Sequence, residues 1–212
     1  MHISFLNKTP FKIDIKQRVE PILFETIKIE YGRVCNLEYH QERVNKAFKE
    51  FFKSKVSLNL KKELINFPHN NIYRAKLIYN RYGLKELNYY KYNRKTISTV
   101  ILIEMPNINY KYKFLNREFF DKLYTLFNAD EFLITQNGYL KDTTIANIAL
   151  YNKKLEQWHT PKTPLLEGTT LNRYLKSGKL IKKDIHYQDL KNYSKIAFLN
   201  AMIEWVEYDI KG

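Results

Sequence analysis

A chain of 212 residues with 44% hydrophobic and 15% aromatic content can bury one large core or two small ones, which excludes a disordered or fibrous protein. A formal charge of +14 keeps anionic partners in view, nucleic acid among them, yet the basic residues are scattered and the densest short patch is only Lys179-Leu180-Ile181-Lys182-Lys183. The longest strongly apolar run, Val100-Ile101-Leu102-Ile103, is too short for a bilayer, the start MHISFLNKTPF lacks a signal-peptide pattern, and the single Cys35 forms no intrachain disulfide, so a cytoplasmic location is expected.

The first predicted element is a strand over 22–32, rich in β-branched and aromatic residues, with Gly32 turning into Val34-Cys35-Asn36-Leu37. Val44, Ala47, Phe48, Phe51 and Phe52 then fall at helical spacing, which predicts a helix over about 38–53. Asn59 is placed to cap a short helix carrying Leu60, Leu64 and Ile65. Strands return at 72–81, 85–92 and 97–105. Pro106-Asn107-Ile108-Asn109 breaks the pattern and suggests a boundary, giving an N-terminal α/β subdomain over 1–106 and a C-terminal subdomain over 107–212.

Beyond that break, Asn116 is a candidate cap for a helix whose Phe120, Leu123, Tyr124 and Phe127 share a face. Asn137-Gly138 suits a type I′ turn, so 131–135 and 139–150 read as a hairpin. After a turn at 152–154 and a strand ending near Thr160, residues 169–176 read as a helix stopped by Gly178. Strands close the chain near 180–185 and 196–199. Strands and helices mix in both halves, an α/β or α+β arrangement.

Several chemistries find no support. The six glycines stand at 32, 83, 138, 168, 178 and 212, too far apart for a dinucleotide fingerprint or a P-loop. The five histidines show no paired ligand spacing, so no metal is expected, and no nucleophile elbow occurs. Asp142 is more informative. Alternation along 139–150 puts it with Leu140, Thr144, Ala146, Ile148 and Leu150 on the more apolar face, where a lone carboxylate is costly. It needs a partner: a core arginine, protein dipoles or a ligand.

Residues 129–148, with Ala129-Asp130-Glu131, then Asn137-Gly138, then Asp142 followed five positions later by Asn147, resemble the core block of class IV aminotransferases. Phe24-Glu25-Thr26-Ile27, Tyr39-His40-x-x-Arg43-Val44, Lys113-Phe114-Leu115-Asn116-Arg117, Leu166-Glu167-Gly168-Thr169-Thr170 and Leu199-Asn200-Ala201-Met202 resemble further motifs of that family, in the right order. The resemblance implies the two-subdomain architecture of fold-type IV pyridoxal-phosphate enzymes, with the cofactor at the subdomain interface and a homodimer as the assembly. It implies Lys113 as the Schiff-base lysine and general acid/base. Lys111 lies two residues away, and spacing alone does not separate the two. It also implies cofactor contacts from Arg43, Asp142, Asn147, Thr169, Thr170, Asn200 and Ala201, with Asp142 beside the pyridine nitrogen.

Two departures stand out. The family usually has Glu where Asp142 stands, one methylene longer. It also usually has a strand and a glycine turn just before the Phe-Glu-Thr segment, where this chain has Lys16-Gln17-Arg18-Val19-Glu20-Pro21. The Asn-Ala-Met segment is closer to 4-amino-4-deoxychorismate lyases, which act on a dianionic substrate to give 4-aminobenzoate and pyruvate for folate synthesis. Arg81 is the candidate substrate cation, with a surface strand-end arginine as the alternative. A transaminase for branched-chain or D-amino acids is the second expectation, and a basic nucleic-acid-binding protein a remote third.

Overall fold

The computed structural model describes residues 1–5 and 20–210; the Lys16–Val19 part of the departure noted above lies outside them. The described residues divide into two compact units, one comprising 20–94 with 112–116, the other 1–5, 95–111 and 117–210. Both mix helix and sheet, the α+β arrangement expected.

Strand β1 (His2–Phe5) belongs to the larger unit. The smaller unit begins with β2 (Leu23–Glu30), which turns through Tyr31 and Gly32, at φ 47° and 77°, into the short β3 (Arg33–Val34). Helix α1 (Leu37–Lys46) follows, with Glu38 in its first turn and Arg43 and Lys46 in its last, matching the helix dipole. A π-helical stretch, Ala47–Phe52, continues it, so the expected helix over 38–53 is present in two segments of different pitch. Asn59 caps α2 (Leu60–Glu63), its side chain accepting from the Lys62 amide at 3.2 Å. Strands β4 (Ile72–Asn80) and β5 (Gly83–Lys91) complete an antiparallel sheet ordered β3-β2-β4-β5.

One face of that sheet is covered by α1 and the π-helical stretch. Ile27, Ile29, Ala75 and Leu77 point inward to meet Val44, Ala47 and Phe48. Each large aliphatic side chain buried this way stabilises the unit by about 1.5–3 kcal/mol. Residues 112–116 also return to this unit. The Phe24 amide donates to the Lys113 carbonyl and the Leu115 amide to the Ile22 carbonyl, both at 2.9 Å, beside the start of β2.

In the larger unit, β6 (Thr99–Glu104) pairs in parallel with β1. Helix α3 (Glu118–Leu126) is capped by Arg117 without a side-chain bond, so Asn116 is not the cap expected from the sequence. Strands β7 (Glu131–Gln136) and β8 (Tyr139–Thr143) form the expected hairpin, with Asn137 and Gly138 at φ 52° and 79° as a type I′ turn requires. The hairpin's second strand does not run on to Leu150. It breaks at Thr144–Ala146, and β9 (Asn147–Asn152) joins a different sheet.

That second sheet also holds β10 (Gln157–Pro161), β11 (Ile181–Lys183), β12 (Lys195–Leu199) and β13 (Val206–Asp209), in the order β11-β10-β9-β12-β13; the first is ordered β1-β6-β7-β8. Between β10 and β11 lies α4 (Thr169–Lys176), with the bounds read from the sequence. Ile148, Leu150, Ile196 and Phe198 share a core with Val100, Leu102, Leu133 and Leu140 of the first sheet, while Ala149, Ala197 and Leu199 meet Leu171 of α4 on the opposite face. The expected break at 106–109 falls inside this unit, because β6 is held on both edges, by β1 and β7.

Candidate active site

In the smaller unit the informative cluster surrounds Glu25. Alternation along β2 turns it, with Ile27 and Ile29, toward α1, and it is completely buried. Arg43 donates to it from Nε at 2.8 Å and Nη2 at 2.5 Å, and His40 Nδ1 lies 2.6 Å from the same carboxylate. Burial alone would raise this carboxyl, but the Arg43 charge and the His40 and Arg43 donors outweigh it and hold it at about 2. An anionic Glu25 accepts only, so His40 donates through Nδ1. That leaves His40 Nε2 as a buried acceptor with no hydrogen-bond partner among the described residues. Burial lowers the His40 pKa first, with the Glu25 hydrogen bond and charge opposing, which favours the neutral ring.

Lys113 belongs to this unit too. Its side chain is half-buried, with Nζ 4.6 Å from the Phe24 ring centroid. Lys111 is exposed and belongs to the larger unit. Arg81 is an exposed residue of the β4–β5 turn; its guanidinium carbon lies 6.0 Å from the Tyr82 ring centroid and its carbonyl accepts from Ser54 Oγ. Glu25 and His40 appear in the motifs read from the sequence without a role. The acid at β2 position 25 and the His-x-x-Arg spacing on α1 are the signal that could have joined them.

In the larger unit Asp142 is 4% exposed, at the end of β8 just before the break. Asn147 Nδ2 donates to its Oδ1 at 2.7 Å and the Leu166 amide to its Oδ2 at 2.9 Å. Its partners are amides: no salt bridge reaches it among the described residues. Burial dominates over these donors and lifts the carboxyl to about 7. The same Asn147 Nδ2 donates to the Leu166 carbonyl at 2.7 Å.

Two residues on, Gly168 caps α4, and a methyl group there would overlap Asn147 Oδ1; glycine is needed for the close approach and not for its φ of −70°. Thr169 and Thr170 are buried in the first turn of α4, which holds no acidic residue. Asn200 spends its side chain inside the protein, donating to the Ile145 carbonyl at 3.2 Å and accepting from the Met202 and Ile203 amides at 2.9 and 3.0 Å. Ala201 follows, partly buried, in that turn.

The break after Asp142 has its own anchor. Glu131 Oε1 accepts from the Thr144 hydroxyl at 2.6 Å, the Thr144 amide at 3.0 Å and Tyr124 Oη at 3.1 Å, while Arg117 Nη2 donates to the Thr144 carbonyl at 2.6 Å. These bonds pin the Thr144–Ala146 turn and set Asp142 and Asn147 facing each other across it. The candidate residues thus gather in two sets: Lys113 with Arg43 in one unit, and Asp142, Asn147, Thr169, Thr170, Asn200 and Ala201 in the other. Arg81 takes part in none of the hydrogen bonds described for either set.

The profile of the class IV amino-transferases matches residues 22–208. An uncharacterized protein of Haemophilus influenzae is 33% identical over 185 residues, which cover 85% of this chain and 97% of that protein. A crystal structure of a candidate 4-amino-4-deoxychorismate lyase from Haemophilus somnus is 31% identical, with a TM-score of 0.75, over 88% of this chain and 98% of the other. A hypothetical aminotransferase from Mycobacterium tuberculosis, in its pyridoxal-phosphate-bound form, shares the fold at 15% identity and a TM-score of 0.66, over 90% and 80%. The chain belongs to the class IV aminotransferase family, whose members are pyridoxal-phosphate enzymes.

The residues present fit such a cofactor. A buried carboxyl met by amide donors among the described residues is suited to a protonated ring nitrogen, and a helix start with two buried threonines and no acid is suited to a phosphate.

Proposed function

We propose that this enzyme is a pyridoxal-phosphate-dependent lyase that converts 4-amino-4-deoxychorismate to 4-aminobenzoate and pyruvate, a step of folate-precursor synthesis. The observation that carries the cofactor assignment is Asp142: fully enclosed, held near neutral pKa and met by amides. The lyase assignment is supported by the Haemophilus somnus candidate lyase at 31% identity and by the Asn200-Ala201-Met202 segment, which offers no hydroxyl side chain.

When bound, pyridoxal phosphate supplies an electron sink for charge developing next to the substrate nitrogen. In this reading Lys113 would hold the cofactor through its amine, and Arg43, Thr169 and Thr170 would receive its phosphate. Asp142 would face the ring nitrogen and keep it protonated, the negative carboxyl gaining the cation that its surroundings withhold. Lys113 would also be a tethered base in a half-buried setting. It takes the proton from the ring carbon bearing the amino group. The ring carbon–oxygen bond to the enolpyruvyl group then breaks, the ring becomes aromatic, and the proton is returned to the departing enol, which leaves as pyruvate.

Arg81 is the proposed partner of a substrate carboxylate, and its exposed turn leaves it open to an anion. The proposed assembly is a cytoplasmic homodimer. Among the described residues no helix is long and apolar enough to cross a membrane.

The test is to incubate the cofactor-loaded protein with 4-amino-4-deoxychorismate and follow both products. Equimolar 4-aminobenzoate and pyruvate are expected. Amino transfer to an added 2-oxo acid without pyruvate release would assign a class IV transaminase instead. A colourless protein showing only salt-sensitive binding to nucleic acid would overturn both.

A further inference from the structure

The family resemblance makes Asn147 one more group near a cofactor, but the structure leaves its amide no donor to offer. An amide nitrogen carries two hydrogens. One goes to Asp142 Oδ1 and the other to the Leu166 carbonyl, each at 2.7 Å. Leu166 closes the ring by donating its own amide to Asp142 Oδ2 at 2.9 Å. The carboxyl, the Asn147 amide and the Leu166 peptide form one buried cycle.

The cycle reaches further along the chain. Asn147 Oδ1 lies where a methyl group on Gly168 would have to go, so the turn into α4 runs tight against this side chain. Gly168 is the cap of α4, its carbonyl accepts from the Asn172 amide at 3.0 Å, and Thr169 and Thr170 follow at once. A displacement of the Asn147 side chain therefore moves two things together. One is the Asp142 carboxyl at the end of β8. The other is the first turn of α4, twenty-odd residues later in sequence.

We propose that Asn147 is a positioning residue rather than a ligand: it clamps the Asp142 carboxyl to the start of α4, and so fixes the distance between the group facing the cofactor ring and the turn facing its phosphate. The proposal rests on the reading of Asp142, Thr169 and Thr170 given above. It adds that the two ends of the site are set by a single side chain. It also accounts for Asp at position 142: the Leu166 amide and Asn147 together reach the shorter side chain and hold both of its oxygens.

The test titrates the full-length apo protein with pyridoxal 5′-phosphate and, separately, with pyridoxal, which has the ring but not the phosphate, reading absorbance and the melting temperature of the apo protein. Asn147→Ala is expected to weaken pyridoxal phosphate by about tenfold or more, the range seen when outer partners of a ligand set are removed. Pyridoxal should weaken less, because it senses the Asp142 end alone. Equal losses for both compounds, or constants within twofold of wild type beside a lowered melting temperature, would overturn the clamp and leave Asn147 a purely structural residue.

Should Asn147→Ala not fold, Asn147→Ser serves with the same expectations. A second measurement needs no cofactor. Gly168→Ala should lower the apo melting temperature strongly in the wild-type background and much less beside Asn147→Ala, where the overlapping oxygen is gone. Additive losses would sink the proposal. A wild-type chain that binds neither aldehyde would refute the cofactor reading, and the melting cycle would still decide whether the clamp exists.

Discussion

Arg43 grips Glu25 through two nitrogens of one guanidinium, with His40 completing the set from the same helix, three residues earlier. The guanidinium is thereby fixed in plane, the prior placement that its proposed role as phosphate receptor calls for.

Replacing Glu25 with Gln is expected to destabilise the apo protein by about 3–5 kcal/mol, because it strands the Arg43 charge in a largely buried setting. Denaturant unfolding measures this. The variant should also lose affinity for pyridoxal phosphate more than for pyridoxal, as the arginine swings out of place.

The same acid sets an acid limit. Its folded pKa, about 2, lies below the unfolded value of 4.5, so its contribution is complete above the unfolded value and is lost as pH falls through about 2. Wild type should lose stability steeply between about pH 5 and 2, and Glu25→Gln much less steeply, in melts across that range.

Asp142 works in the opposite direction. Its folded pKa, about 7, lies above the unfolded 3.8, so the folded chain holds the proton more tightly. Its contribution to folding is greatest below the unfolded pKa and disappears as pH rises through about 7. The apo melting temperature of wild type should drop between pH 5.5 and 8.5 by several degrees more than that of Asp142→Asn. Loaded with cofactor, wild type should regain most of the difference and the variant should not.

Borohydride reduction of cofactor-loaded protein followed by peptide mapping should place the adduct on Lys113. Lys113→Ala should lose turnover by on the order of a thousandfold or more. An adduct on Lys111, exposed and outside the unit that holds Arg43, would shift the assignment by two residues.

Arg81→Ala should raise KM by about tenfold with little change in kcat, the pattern of a residue that binds substrate and transition state alike. An unchanged KM would return Arg81 to the role of a surface turn residue.

Much of the architecture could be read from local pattern. The α4 bounds follow from helical spacing and Gly178, which sits at φ 75°, and Asn137-Gly138 specifies its turn by backbone chemistry alone. What escaped depends on partners distant in sequence. The strand expected over 139–150 breaks after Thr143 because Thr144 is drawn to Glu131, thirteen residues back, and no periodicity within the strand announces that. Glu25 and Arg43 are eighteen residues apart, and β1 finds β6 by parallel pairing, which has no local signature. Asp142 was legible as an acid in need of partners; that these are the Asn147 amide and the Leu166 backbone was not.

The return of residues 112–116 to the unit of 20–94 also bears on how the protein is made. The start of β2 pairs with β4 on one edge but lacks its neighbour on the other until Phe114 has left the ribosome, since the Leu23–Phe114 bridge covers that edge. A nascent chain ending at residue 106 would expose that edge and the apolar surface that Tyr112 and Phe114 cover. Translation must therefore run past the middle of the sequence before its amino-terminal half can close, and a chaperone that shields strand edges would have its binding window there.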